Sequence, residues 1–173
     1  MLGRLDIRYD KCTGCKACQM ACAINKEKQI WPEAARIKVV QIGLGPLDIP
    51  VACHQCSDHP CVAACPEKVK ALSYDPESGV VLINEEKCLR EQGLQCQRCF
   101  RACPGEAVSY HPKRGTPLFC DLCGGNPVCV TACGPQALSY NLDPCFESRH
   151  LNRNAYEIAR ELAVKVFGRE EIK

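Results

Sequence analysis

The stretch CHQCSDHPCVAACP, residues 53–66, decides how this chain is built. Its four cysteines, Cys53, Cys56, Cys61 and Cys65, are separated by two, four and three residues. The same kind of run recurs on both sides. Upstream stand Cys12, Cys15, Cys18 and Cys22, at gaps of two, two and three. Downstream are Cys88, Cys96, Cys99 and Cys103 (seven, two, three), then Cys120, Cys123, Cys129 and Cys133 (two, five, three). Sixteen of the seventeen cysteines therefore fall into four quartets, and each quartet closes on the same three-residue gap. Proline follows the last cysteine in two of them, at Pro66 and Pro104. This is the spacing of cubane [4Fe–4S] ligation, in which the last cysteine of a run serves a neighbouring cluster. Four quartets supply ligands for four [4Fe–4S] clusters.

Composition narrows the classes further. A chain of 173 residues is one domain or two very small ones. Aromatic residues make up only 6%, with one Trp, so side chains alone offer a modest core. Metal–thiolate cross-links are expected to supply what the core lacks, making folding depend on cluster insertion. A disulfide scaffold is the competing use of so many cysteines, but such scaffolds belong to short secreted chains. The opening MLGRLDIRYDKC carries Arg4, Asp6 and Arg8 and no apolar run that would read as a signal peptide. No apolar stretch is long enough to span a membrane. A reducing, cytoplasmic setting is the expectation. The formal net charge of +2 counts every cysteine as neutral. Sixteen thiolates and four oxidised cores of about +2 each would shift the loaded chain by roughly −8, to about −6. The 22 Lys and Arg residues then balance cluster charge, and no basic block marks a nucleic-acid surface.

Internal repetition supports one architecture. Each quartet ends Ala-Cys, at Ala21-Cys22, Ala64-Cys65, Ala102-Cys103 and Ala132-Cys133. A related phrase follows three of them: Ala71-Leu72-Ser73-Tyr74, Ala107-Val108-Ser109-Tyr110 and Ala137-Leu138-Ser139-Tyr140. A small residue before the last cysteine lets a short helix approach a cluster, and the three-residue gap carries that cysteine one turn onward. Alternating patterns predict strands over 4–9 and 35–42, and hairpins joining 71–74 to 80–83 and running from 108 to 119. Short strands, tight turns and one-turn helices around the cysteine runs give an α+β fold. It is the layout of a two-cluster bacterial ferredoxin written twice, over residues 1–145. In the remaining tail, 146–173, apolar residues at helical spacing predict a helix over 148–167, stopped at Gly168. It is expected to cap this protein's own surface.

Zinc is the chemical alternative. Zinc sites pair two Cys-x2-Cys units across a longer connection, and Cys96-x2-Cys99 or Cys120-x2-Cys123 alone would be ambiguous. The first quartet, with two successive x2 gaps, is too tight for two zinc knuckles; its path wraps three corners of a cube.

With these quartets the chain resembles the four-cluster ferredoxin-like electron-transfer subunits of molybdenum- and tungsten-pterin oxidoreductases. That group includes the iron–sulfur subunits of dimethyl sulfoxide reductase, nitrate reductase and formate dehydrogenase. Smaller soluble versions accompany tungsten aldehyde oxidoreductases and benzoyl-coenzyme A reductase complexes. The resemblance covers residues 4–141, and its most specific parts are residues 53–66 and FCDLCGGNPVCVTAC, residues 119–133. It implies that motif one pairs with motif four, and two with three, each pair exchanging last cysteines. One cluster would then take Cys12, Cys15, Cys18 and Cys133, and its neighbour Cys22, Cys120, Cys123 and Cys129. The other pair would take Cys53, Cys56, Cys61 and Cys103, and Cys65, Cys88, Cys96 and Cys99. Two departures stand out: seven residues separate Cys88 from Cys96 where the family has two, and Gly134 replaces the usual proline.

The remaining polar residues are read as accessories. His54 and His59 are surplus to four thiolates and are expected to be loop residues or modulators of potential, not ligands. Lys11, Lys16, Arg98 and Arg101 flank ligating cysteines and can raise cluster potentials through charge. Cys145 is expected to be a buried structural thiol. No phosphate-binding glycine loop and no nucleophile–base set is present, so the chain is read as a non-catalytic subunit. It is expected to relay single electrons between a tungsten- or molybdenum-pterin catalytic subunit, preferably of the tungsten aldehyde oxidoreductase type, and a flavin or ferredoxin redox partner. A free-standing polyferredoxin, a zinc-organised binding module and structural or regulatory clusters are the alternatives.

Overall fold

The computed structural model describes residues 3–43, 47–143 and 152–167. Cys145 and Gly168 lie outside the described residues, as do residues 148–151 of the expected tail helix. The element order is β1 (Arg4–Ile7), α1 (Ala17–Glu27), β2 (Ile37–Gln41), β3 (Asp48–Ala52), α2 (Pro60–Ala63), β4 (Leu72–Tyr74), β5 (Val81–Ile83), α3 (Arg98–Arg101), β6 (Ser109–Tyr110), β7 (Pro117–Leu118), α4 (Val128–Thr131), β8 (Leu138–Asn141) and α5 (Ala155–Phe167). Among the described residues the strands form four two-stranded antiparallel sheets: β1 with β8, β2 with β3, β4 with β5, and β6 with β7. This is the α+β arrangement of short hairpins and short helices that the cysteine pattern predicts.

The β1–β8 pair closes the chain on itself. Arg4 lies opposite Asn141 and Ile7 opposite Leu138, bringing the first motif beside the fourth. Leu5, Ile7 and Leu138 then share one apolar cluster with Cys18, Cys22, Leu122 and Cys129. A second cluster joins Cys61 and Cys99 to Leu72, Val81 and Val108, with Cys65 and Cys103 packed against it. Motifs one and four thus surround one core, and motifs two and three another.

Three features differ from the sequence expectation. Helix α1 runs eleven residues, not a single turn. Cys18, Cys22 and Ala23 lie on its buried face, and left-handed residues at Lys16 and Lys28 bound it. Strand β3, not anticipated, pairs with β2 over five residues despite Pro50, which a two-stranded edge tolerates. The amide of Val39, opposite Pro50, donates to the Gln19 side chain on α1 at 3.2 Å. The tail helix begins at Ala155, because Asn154 and Glu157 form a reciprocal cap: Glu157 N donates to Asn154 Oδ1 at 3.0 Å, and Asn154 N to Glu157 Oε2 at 2.9 Å. Its Ala155, Ile158, Ala159 and Ala163 pack on Ile42, Leu47 and Ile49 of the β2–β3 hairpin. The helix covers this protein's own surface.

A charged network ties the two halves together. Glu27, at the end of α1, meets Arg36, His111 (3.4 Å) and Arg114 (3.8 Å). Burial would raise its carboxyl pKa, but hydrogen bonding and charge from Arg36, with His111 and Arg114, hold it below the ordinary range. The His111 Nδ1 accepts from the amides of Lys113 and Arg114, both at 3.1 Å, which leaves Nε2–H to face Glu27.

Buried cysteines serve as core residues throughout these clusters, so the apolar core is continuous only where the thiols are held. Removing iron with chelator under reducing conditions is therefore expected to abolish most far-UV ellipticity and any cooperative melt. An apo-protein that melts cooperatively would contradict this.

Candidate iron–sulfur centres

All sixteen predicted ligand cysteines lie among the described residues, and every one is a free thiol. Proximity sorts them into groups that each draw on two motifs. Burial pushes the Cys18 thiol up to about 11, and the neighbouring Cys12, Cys133 and Cys15 push the same way. Cys120 is pushed up to about 12 by burial, with Cys22 and Cys123 adding to the effect. Cys129 is raised by burial and by Cys120, Cys22 and Cys123. Cys61 is pushed up to about 11 by burial, then by Cys103 and Cys56. Cys53 is raised by burial, with Cys120, Cys61 and Cys103 adding to it. Cys99 rises to about 12 through burial, with Cys61, Cys96 and Cys88 nearby, and Cys65 packs into the same apolar cluster.

The last cysteines cross over. That of motif four (Cys133) lies with motif one, and that of motif one (Cys22) with motif four. Cys103 lies with motif two in the same way. One small apolar cavity makes the third group visible: Cys53, Cys56, Cys61 and Cys103 all line it, walled by Val81, Val108, Leu118 and Phe119. The helices pair accordingly, α1 against α4 and α2 against α3.

The donor set suits anionic sulfur, because the thiols carry the N–H donors that it requires. Ala107 N donates to Cys103 Sγ at 3.3 Å and Ala137 N to Cys133 Sγ at 3.2 Å. In two of the three Ser-Tyr phrases the Ala, Ala107 or Ala137, is therefore an amide placed four residues beyond the last cysteine. Arg36 N reaches Cys22 Sγ at 3.2 Å, and Leu122 N reaches Cys120 Sγ at 3.5 Å. The Asn25 amide donates to Cys123 Sγ at 3.5 Å. Such bonds stabilise negative charge on sulfur and raise cluster potential. Asn25 carries no signal in the sequence because its partner lies 98 residues away and only the length of α1 delivers it.

The accessory residues separate. Lys16, Arg98 and Arg101 are exposed, and Lys11 is half-buried. His59 stacks on Tyr74 with ring centroids 4.1 Å apart, its ring nitrogens facing the carbonyls of Ser57 and Gly79. His54 is buried, its Nδ1 accepts from the amide of Asn152 at 3.0 Å, and burial lowers its pKa to about 4. The neutral ring lies against Gly105, where a Cβ would come within 1.9 Å of Nε2. Gly14 is constrained likewise, with φ of +67° and the Asp48 carboxylate filling the space of a side chain. Gly105→Ala is expected to push His54 into the third thiol group and to cost about 1–3 kcal/mol in overpacking. Iron analysis should show this variant short of about one cluster, and His54→Ala added to it should restore the iron; unchanged iron in the single variant would refute the role assigned to Gly105.

Three comparisons bear on this site. A family described as the 4Fe–4S dicluster domain matches residues 47–142. The chain is 41% identical over 170 residues to the polyferredoxin-like subunit of an aliphatic sulfonate oxidoreductase from Pyrococcus furiosus, covering 95% of this chain and 92% of that protein. It is 34% identical to the B subunit of polysulfide reductase from Wolinella succinogenes (75% and 70% covered), and 27% identical to the B subunit of anaerobic dimethyl sulfoxide reductase from Escherichia coli (78% and 70%). Among solved structures, the BamBC active-site complex of benzoyl-coenzyme A reductase with benzoyl-CoA aligns over 96% of this chain and 92% of its own, with a TM-score of 0.49 and 25% identity. The chain belongs to the 4Fe–4S dicluster family, as a non-catalytic iron–sulfur electron-transfer subunit of the oxidoreductase type carrying four [4Fe–4S] clusters.

Proposed function

We propose that this chain relays single electrons through four centres in a fixed linear order, between a pterin-containing tungsten or molybdenum catalytic subunit and a second redox partner. The first centre is held by Cys12, Cys15, Cys18 and Cys133, and the second by Cys22, Cys120, Cys123 and Cys129. Cys53, Cys56, Cys61 and Cys103 hold the third, and Cys65, Cys88, Cys96 and Cys99 the fourth. Residues 1–145 form the tandem ferredoxin-like unit, and 146–173 the helical tail.

The observation that carries this order is that cysteines of successive groups stand near enough to act on one another electrostatically. Cys18 lies beside Cys129, joining first to second. Cys120 lies beside Cys53, joining second to third, and Gln55 Nε2 donates to the Cys120 carbonyl at 2.9 Å across that junction. Cys61 lies beside Cys99, joining third to fourth. Bound clusters supply one-electron chemistry. The protein holds them in register, screens the middle two with apolar walls and neutralises their charge with amide dipoles. Cys15 is exposed at one end and Cys96 half-exposed at the other, so both termini of the line reach the surface.

The compact polyferredoxin-like relative from Pyrococcus furiosus, matched nearly end to end, favours a small subunit over a longer respiratory one, and we take the partner to be of the tungsten aldehyde oxidoreductase type. Among the described residues no helix is long and apolar enough to cross a membrane. Cysteines committed to clusters and not to disulfides suit a reducing compartment, and we place the protein in the cytoplasm. Native isolation followed by metal analysis tests the partner: tungsten or molybdenum co-eluting with this chain is the expected result. Recovery of the chain alone, still able to reduce partners in trans, would favour a diffusible polyferredoxin.

The exchanged ligation has its own test. Cys103→Ser is expected to damage the centre built on Cys53, Cys56 and Cys61 while leaving that of Cys88, Cys96 and Cys99 intact. Spectra of this variant and of a parallel Cys96→Ser variant should differ, because each loses a different centre of the same half. Identical losses in the two variants would contradict the exchange.

A further inference from the structure

Resting on the ligand assignment above, the structure assigns a docking face to the fourth centre. We propose that an acidic one-electron carrier protein docks there, against an arginine-lined groove built by the enlarged third-motif loop. Cys96, a ligand of this centre, lines an open surface groove together with Leu89, Leu94, Gln95, Gln97, Arg98 and Arg101. The charged part of that lining is two arginines of the same sign, both exposed. Leu94 is 55% exposed, an unusual position for a large apolar side chain. Phe100, on α3 between the two arginines, is 37% exposed.

The seven-residue gap from Cys88 to Cys96 makes this surface, and it is held rigidly. Arg90 spans its base: Nε donates to the Gly115 carbonyl at 2.6 Å and Nη1 to the Cys96 carbonyl at 3.2 Å. Its guanidinium lies 3.9 Å from the centroid of Tyr110, whose ring packs in turn 6.1 Å from Phe100. The loop is thereby fixed to the β6–β7 hairpin and holds Leu94 outward. Apolar anchors beside arginine match the composition of protein interfaces. The paired positive charge selects an acidic surface and steers it toward Cys96. The exchange is balanced without bond changes or protons: the reduced carrier loses one electron and the chain's fourth centre gains it, or the reverse.

The test uses the loaded four-cluster protein and a purified acidic 2[4Fe–4S] ferredoxin as probe. Affinity of the two oxidised proteins and the rate of electron exchange are measured at low and high salt. Arg98→Glu with Arg101→Glu is expected to weaken binding and slow exchange on the order of tenfold at low salt, and to erase the salt dependence. Leu94→Gln should weaken binding at both salt concentrations. Arg160→Glu with Lys165→Glu, the same charge change placed on α5, should leave both quantities as in wild type. Equal losses in the α5 pair, or wild-type binding in the Arg98/Arg101 pair with full iron content, would overturn the proposal. So would loss of the catalytic subunit from the isolated complex of the Arg98/Arg101 variant, which would give this face to that subunit. Wild-type protein without iron would instead refute the ligand assignment before any probe is added, and this inference with it.

Discussion

The constraint on which the rest depends is that each proposed centre takes its thiols from segments far apart in the chain. Cys133 must meet Cys12, Cys15 and Cys18 across more than a hundred residues, and Cys22 must meet Cys120, Cys123 and Cys129. Closing such loops costs chain entropy that two-residue and three-residue hairpins cannot offset. The thiolate bonds offset it, and the β1–β8 pair and the α1–α4 contact follow from that closure. The apolar clusters around the motifs are small and have cysteines as members, so there core and cofactor site are the same place. This is why so few aromatic residues suffice.

Exchange of last cysteines has a second consequence. Because each motif contributes to two centres, neighbouring centres in one half are held by a common stretch of backbone. Cys18 and Cys22 sit one turn apart on α1 and fall in different proposed groups; Cys61, on α2, and Cys65, just beyond it, repeat the arrangement. Separation within each half is thus set by helical rise, which no loop motion can alter. Between halves the job falls to side chains: Gln55 on the Cys120 carbonyl, and the Glu27, Arg36, His111 and Arg114 network. The junction between second and third centres is the one place in the line where polar contacts, not shared backbone, keep the register.

Much of this is readable from residues alone, because ligand spacing is a covalent property that tertiary context does not override. The quartets, the two hairpins flanked by turn residues and the self-covering tail helix all follow from local pattern. The length of α1 is hidden because Cys-x3-Cys is satisfied by a single turn, while the polar residues that extend it, Asn25 and Glu27, have their reasons in motifs three and four. Strand β3 is masked by Pro50, which argues against a strand unless its partner is known. The Asn154–Glu157 cap is available as a sequence signature, yet a tail read only for apolar period starts too early. His54 is visible as surplus to the four thiolates of its motif, but its packing on Gly105 needs coordinates, since both follow cysteines of separate motifs.

The account stands or falls on four cubane clusters occupying these thiol groups. Iron and acid-labile sulfide counted per chain, on protein purified without oxygen, test it most directly. About sixteen iron and about sixteen sulfide per chain are predicted, with visible absorption that dithionite bleaches. Stoichiometric zinc in a colourless protein, or iron for only two clusters in a fully folded chain, would contradict it.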